Sequence, residues 1–208
     1  MNTKLSGKFI VLDGPDGCGK STQTKLLIQW LEKQGVNTVR FRDPGDTDIG
    51  EKIREILLNP EHYLMSTETE VLLYMAARAQ LWIERIAPAL KKNQCVVLDR
   101  WLSSTLAYQG WAGGFGTNRI IKIAEDCLER VWPDITIILD LDLISASKRL
   151  NRQLDRMEAK GDEYHNKVRN GFLKLAEQQE NVFVVNAGSD IESVHKKIIQ
   201  LISEASFL

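Results

Sequence analysis

Five short apolar runs, at residues 9–12, 36–41, 95–98, 135–141 and 182–185, divide the chain at wide intervals. The first reads as a buried strand, and each is followed by a segment with apolar residues at helical spacing. Strands alternating with helices predict a mainly parallel sheet covered on both faces. The expected fold is therefore a three-layer, doubly wound α/β domain with a five-stranded parallel sheet, occupying residues 1–208 without a dividing linker. The first helix is expected over about 19–34, stopped by Gly35. Ile49, Ile53, Ile56 and Leu57 predict a short amphipathic helix. Thr67-x-x-Glu70 reads as a capping box opening a long helix toward Leu90, and Ser189-x-x-Glu192 as the box opening the last helix. Further helices are expected near 118–130 and 161–180.

The first run feeds directly into Gly14-Pro15-Asp16-Gly17-Cys18-Gly19-Lys20-Ser21-Thr22, and then into Leu26, Leu27, Trp30 and Leu31 at helical spacing. G-x-x-x-x-G-K-S between a strand and a helix is the pattern of a phosphate-binding loop. Its glycines let successive N–H groups line one concavity, and the helix N-terminus adds partial positive charge. Lys20 is placed to reach the β and γ phosphates, and the Ser21 hydroxyl to ligand a magnesium ion. The chain is expected to bind a nucleoside triphosphate, with ATP as co-substrate and Mg2+ as cofactor.

Other candidates lie where an open α/β sheet binds ligands, beyond the carboxyl ends of its strands. Arg42 sits in the turn-rich stretch Arg42-Asp43-Pro44-Gly45-Asp46-Thr47, and reads equally as a phosphate clamp or a solvated rim arginine. Tyr74 and Arg78 share a helix face, either as a ring platform with a donor fork or as packing. Asp99-Arg100 ends the third strand. There a carboxylate can hold a magnesium-bound water and an arginine can grip phosphate; a plain ion pair is the alternative. Ser103, Ser104, Thr105, Tyr108 and Gln109 follow, suited to a sugar or base. Arg149, Arg152 and Arg156 form one basic face if about 145–160 is helical, read either as a solvated face or as a lid over the triphosphate. His62, His165 and His195 have no metal-ligand spacing.

Composition narrows the partners. The 208 residues carry a formal net charge of -1, with 43% hydrophobic and 26% charged residues. Such a balance gives no bulk attraction to nucleic acid or to an anionic membrane, so phosphate must be held by local cations. Three dispersed cysteines without C-x-x-C, and no leader or long uncharged apolar segment, lead to the expectation of a cytoplasmic protein.

Taken together these stretches resemble the thymidylate kinase family, from Phe9 to about Ala176. The phosphate loop specifies only the wider class. Asp99-Arg100-Trp101, Ser103-Ser104 with Ala107-Tyr108-Gln109-Gly110, and Asp155-Arg156-Met157-Glu158, in that order, are far more specific. The resemblance implies transfer of the γ-phosphoryl of MgATP to dTMP, by a homodimer. It implies Asp16 on the deoxyribose 3′-hydroxyl, Arg42 and Arg100 on the dTMP phosphate, Tyr74 stacked on thymine and Arg78 donating to it. Ser104 and Gln109 become base and sugar contacts, and Tyr108 crowds a ribose 2′-hydroxyl. Gly17 stands where one branch of the family has an arginine, so Arg149 or Arg152 of the lid is expected to supply catalytic charge, with Arg156 beside ATP. Asp43 and Asp46 depart from the family's Arg-Glu-Pro-Gly-Gly-Thr pattern: Asp46 either weakens the acceptor phosphate site or points outward.

Overall fold

The computed structural model describes residues 3–149 and 153–205. Its five strands are β1 (Phe9–Asp13), β2 (Thr38–Arg42), β3 (Cys95–Asp99), β4 (Ile135–Asp140) and β5 (Val182–Asn186). All pair in parallel, in the order β2-β3-β1-β4-β5. The period-two alternation of a strand splits β1 between two cores. Phe9 and Val11 face one side, where they meet Val71, Met75, Val168 and Phe172. Ile10 and Leu12 face the other, against Leu27, Leu31, Val194 and Ile198.

The second core is covered by α1 (Lys20–Lys33) and α9 (Ile191–Glu204), and the first by α3 (Thr67–Leu81), α6 (Thr117–Cys127) and α8 (Asp162–Gln178). Between them come α2 (Asp48–Leu58), α4 (Ala87–Lys91), α5 (Leu102–Thr105) and α7 (Leu143–Arg149). The three-layer expectation holds, with local corrections. Residue 36 is not in a strand. Val36 N–H bonds to the Leu31 carbonyl and Gly35 takes φ 75°, so both belong to the terminator of α1, and β2 begins two residues later. Ser66, not Thr67, caps α3 by accepting from Thr69 N–H, and Asp190, not Ser189, caps α9 by accepting from Ser193 N–H. In each case the residue with extended backbone is the cap.

The long helix toward Leu90 is interrupted. A π-turn at Trp82–Ile86 lets Ala87 N–H reach the Trp82 carbonyl, five residues back. Pro88 follows immediately; it has no N–H and its ring would crowd the carbonyl four residues earlier, so the wider register admits it. A second π-turn, Leu106–Ala112, extends α5 and brings Tyr108 and Gln109 inward. Among the described residues, no helix is long and apolar enough to cross a membrane.

Candidate active site

The phosphate loop leaves β1 at Asp13 and enters α1 at Lys20. Gly14 and Gly17 take φ 134° and 77°, and a Cβ on either would sit 2.5 or 2.6 Å from the carbonyl oxygen of Leu139 or Ala146. The loop is thus wedged between β4 and α7 at a distance only glycine allows. Lys20 Nζ lies across the loop, donating to the carbonyls of Gly14 (3.0 Å) and Pro15 (2.8 Å). Gly17, Gly19, Lys20, Ser21 and Thr22 line a cleft of about 510 Å³ together with Arg42, Arg54, Asp99, Arg100 and Arg149. That volume falls in the usual range for ligand pockets. Cys18 is buried behind the loop; burial pushes its thiol pKa up, and it is not a wall of the cleft.

Beside this cleft lies a second cavity, lined by Asp43, Pro44, Arg54, Tyr74, Arg78, Ser104, Tyr108 and Gln109. Asp16, Arg54 and Arg100 line both. Arg100 takes φ 69°, an unusual conformation for a side-chain-bearing residue, and this turns its guanidinium back over the loop. It donates to the Gly14 carbonyl (2.8 Å), to Ser104 Oγ (2.9 Å) and to Asp16 Oδ1 (2.5 Å). Asp16 also accepts from the Tyr108 hydroxyl at 2.9 Å. Burial alone would raise the Asp16 pKa, but Arg100, Lys20 and the Tyr108 hydrogen bond outweigh it and hold the carboxyl well below the usual range. Asp13, fully buried, accepts from Ser103 Oγ (2.5 Å) and Ser104 Oγ (2.7 Å), tying the end of β1 to α5.

Arg54 is a site residue that sequence reasoning did not single out. It donates to the Pro44 carbonyl (3.0 Å) at the junction of the two cavities, where burial first, and then Arg42, pull its pKa down. Cations crowded where they depress one another mark a place built for an anion. Arg42 is held by Glu51 Oε1 at 2.6 Å, and its N–H donates to Asp46 Oδ2 at 2.6 Å. Asp46 therefore folds back on Arg42.

Asp43 reaches across to Arg78, whose Nε and Nη2 meet Asp43 Oδ2 at 2.7 and 2.6 Å. Nη2 also donates to Thr105 Oγ1 and the Trp101 carbonyl, while Nη1 meets only a weak acceptor, Met75 Sδ at 3.5 Å, among the described residues. Asp43 compensates Arg78, and Nη1 is the least satisfied corner of the fork. Glu70 was read as the carboxylate of a capping box. It is instead buried and accepts from Gln109, Arg156 and Lys160.

Among the described residues, 153–155 are not helical, so Arg156 does not continue a helical face from Arg149. Helix α7 ends at Arg149, which lines the cleft and donates to the Ala187 carbonyl at 3.3 Å. Arg152 lies outside the described residues. Arg156 does not line the cleft beside the phosphate loop: it is buried, with Nε on the Leu57 carbonyl (2.7 Å) and Nη1 on Glu70 (2.5 Å). Its partners precede it by almost a hundred residues, so no local pattern could have announced them.

A glycine cradle with its lysine and hydroxyl at the head of α1, opening sideways into a second polar cavity ringed by arginines, defines a P-loop kinase of the nucleoside monophosphate type. The family model described as thymidylate kinase matches residues 12–198. A thymidylate kinase of Caldanaerobacter subterraneus subsp. tengcongensis is 41% identical over 96% of this chain and 97% of its own length. Those of Symbiobacterium thermophilum and Fervidobacterium nodosum are 42% and 38% identical, over 94% and 93% of this chain and 92% and 97% of theirs. The chain belongs to the thymidylate kinase family.

Proposed function

We propose that this chain transfers the γ-phosphoryl group of ATP to the phosphate of dTMP, giving dTDP and ADP. The observation that carries this reading is that Arg54 and Arg100 line both cavities, with Arg42 in the cleft beside the Lys20 loop. Two nucleotides laid in the cavities would bring their phosphates together at that shared wall.

The acceptor needs no general base, since a phosphate monoester's second pKa is ~6 and its oxygens are largely ionised at neutral pH. The barrier lies in bringing two polyanions into line. Lys20 moves from the loop carbonyls to the β and γ phosphates. Arg100 and Arg42, with Arg54, hold the acceptor phosphate. Asp16 takes the 3′-hydroxyl, and Tyr108, fixed to Asp16, leaves no room for a 2′-hydroxyl. Tyr74 faces the base, Arg78 Nη1 donates to a ring carbonyl, and Ser104 and Gln109 complete the pocket. Arg149 and Arg152 supply charge from the lid at about 145–160, whose closure keeps water from replacing the acceptor. The burial of Arg156 against Glu70 supports a role in holding the end of that lid in place of the contact with ATP expected from the resemblance.

Ser21 and Asp99 line the same cleft and offer the hard oxygen donors that Mg2+ prefers. Among the described residues there is no group of three acidic, histidine or cysteine side chains suited to a metal, so most of the ion's ligands would be phosphate and water oxygens. When bound, the ion offsets phosphate charge. Exposed Ile49, Ile56, Leu72 and Ile83, on α2, α3 and the first π-turn, support a homodimer through this face. A cytoplasmic location accords with a nucleotide substrate and reduced thiols.

The test is ADP release across a panel of monophosphates. Turnover is expected to be fastest with dTMP and near zero without acceptor. Preference for another monophosphate would refute the substrate. Acceptor-independent hydrolysis, unstimulated by dTMP, would make the chain a regulatory ATPase instead.

A further inference from the structure

Glu70 has no part in the reaction described above, yet it is 1% exposed and takes donors from two distant segments. Arg156 Nη1 (2.5 Å) and Lys160 Nζ (2.7 Å) come from the C-terminal end of the lid segment, and Gln109 Nε2 (2.9 Å) from the second π-turn. Burial opposes the charge, but the three hydrogen bonds outweigh it and lower the pKa, so the carboxylate is ionised at neutral pH. An ionised carboxylate only accepts hydrogen bonds. Gln109 must therefore give Glu70 its NH2, which leaves its carbonyl oxygen as the end available to the acceptor cavity that Gln109 lines. Gln109 is itself 1% exposed, and its backbone carbonyl is tied to Phe115 N–H at 3.1 Å, so the side chain has little room to swing.

We propose that Glu70 is a specificity-determining positioning residue: by fixing which end of the Gln109 amide meets the base, it selects pyrimidines that carry a hydrogen on N3. This rests on the dTMP reading above. Thymine and uracil offer an N3–H donor beside the O4 acceptor. Cytosine offers the reverse, an N3 lone pair beside an amino group. Gln109 Oε1 and Arg78 Nη1 present acceptor and donor, which suits the 4-oxo edge and leaves both groups unpaired against the 4-amino edge. Sites built to hydrogen-bond a substrate group discriminate strongly against an analogue without it, because buried polar partners are stranded.

The test is Glu70→Gln, assayed by ADP release with dTMP, dUMP and dCMP. Glutamine at this position can donate as well as accept, so Gln109 is freed to turn. The dCMP-to-dTMP ratio of kcat/KM should rise at least tenfold, largely through KM. The dUMP-to-dTMP ratio, which reads only the methyl group, should stay within twofold. If Glu70 merely holds the fold together, all three acceptors fall in parallel; an unchanged dCMP-to-dTMP ratio overturns the proposal. Glu70→Asp keeps acceptor-only chemistry and should retain selectivity against dCMP even where turnover drops. Relaxed selectivity in that variant would also overturn it, and it serves should the glutamine variant not fold. A wild-type chain that ignores dTMP would sink the substrate reading as well, whereas an active wild type with an insensitive Glu70→Gln sinks this inference alone.

Discussion

The Asp43–Arg78 pair sets a measurable stake in both stability and binding. The two side chains are 0% and 1% exposed, joined by contacts of 2.6 and 2.7 Å. Removing one member of a buried pair strands the other charge, at a typical cost of about 3–5 kcal/mol. Asp43→Asn keeps an acceptor for Arg78 and belongs at the lower end, about 3 kcal/mol by the same reasoning. For a chain of this size each kcal/mol shifts Tm by about 2–4 °C, so a fall of roughly 6–12 °C is expected. Arg78→Met strands Asp43, whose pKa burial already pushes up. A carboxyl with a raised folded pKa binds more protons folded than unfolded. The Arg78→Met deficit should therefore grow as pH rises above the unfolded value of about 3.9, and be larger at pH 7 than at pH 5. Because the partners depend on each other, the double variant should cost less than the sum of the singles by about 1–3 kcal/mol. Urea unfolding of the four proteins measures this directly. Additivity within about 0.5 kcal/mol, or a loss below about 1 kcal/mol for Asp43→Asn, would refute the assignment of Asp43 as the compensating charge.

Arg100→Met should lower kcat/KM for dTMP at least tenfold, since losing one charged contact to a developing anion typically costs ~2.7–4 kcal/mol; near-normal turnover in steady-state assays would remove it from the clamp. Glu70 has a folded pKa below its ordinary 4.5, so its contribution is complete above that pH and lost as pH falls through the folded value. The acid limb of a urea-midpoint profile should accordingly be shallower for Glu70→Gln than for wild type, and superimposable slopes would contradict the buried ion cluster. Gly17→Ala would place a Cβ 2.6 Å from the Ala146 carbonyl at φ 77°, pushing α7 off the loop. Calorimetric ATP titration should show affinity reduced tenfold or more, and unaltered binding would mean that the loop is not pinned there.

The sheet was legible because β1 and β3 are buried on both faces and so read as unbroken apolar runs. The phosphate loop was legible because its chemistry is local, with every working residue within ten positions. Helix caps slipped by one residue, to Ser66 and Asp190, since capping depends on which backbone is extended and neighbouring hydroxyls or carboxylates look alike in sequence. Pro88 was a visible signal for the π-turn that periodicity alone overrode. Arg54 could have been found from Glu51, one helical turn away and beside the Pro44 turn. Glu70, Asp43 and Arg156 could not. Their partners lie 35 to 99 positions distant, and a helical wheel drawn through Arg149 and Arg156 assumes a helix that residues 153–155 do not continue.

The strand order separates two inheritances. The phosphate-loop cradle hangs on β1 and α1, while the lining of the second cavity, the acceptor site in our proposal, hangs on the end of β2, on α3 and on the π-turn beyond β3. Drift confined to the second set can alter the nucleobase accepted without disturbing how the triphosphate is gripped. One scaffold can in this way seed kinases for different building blocks of nucleic acid, each changing its diet while keeping the same energy source.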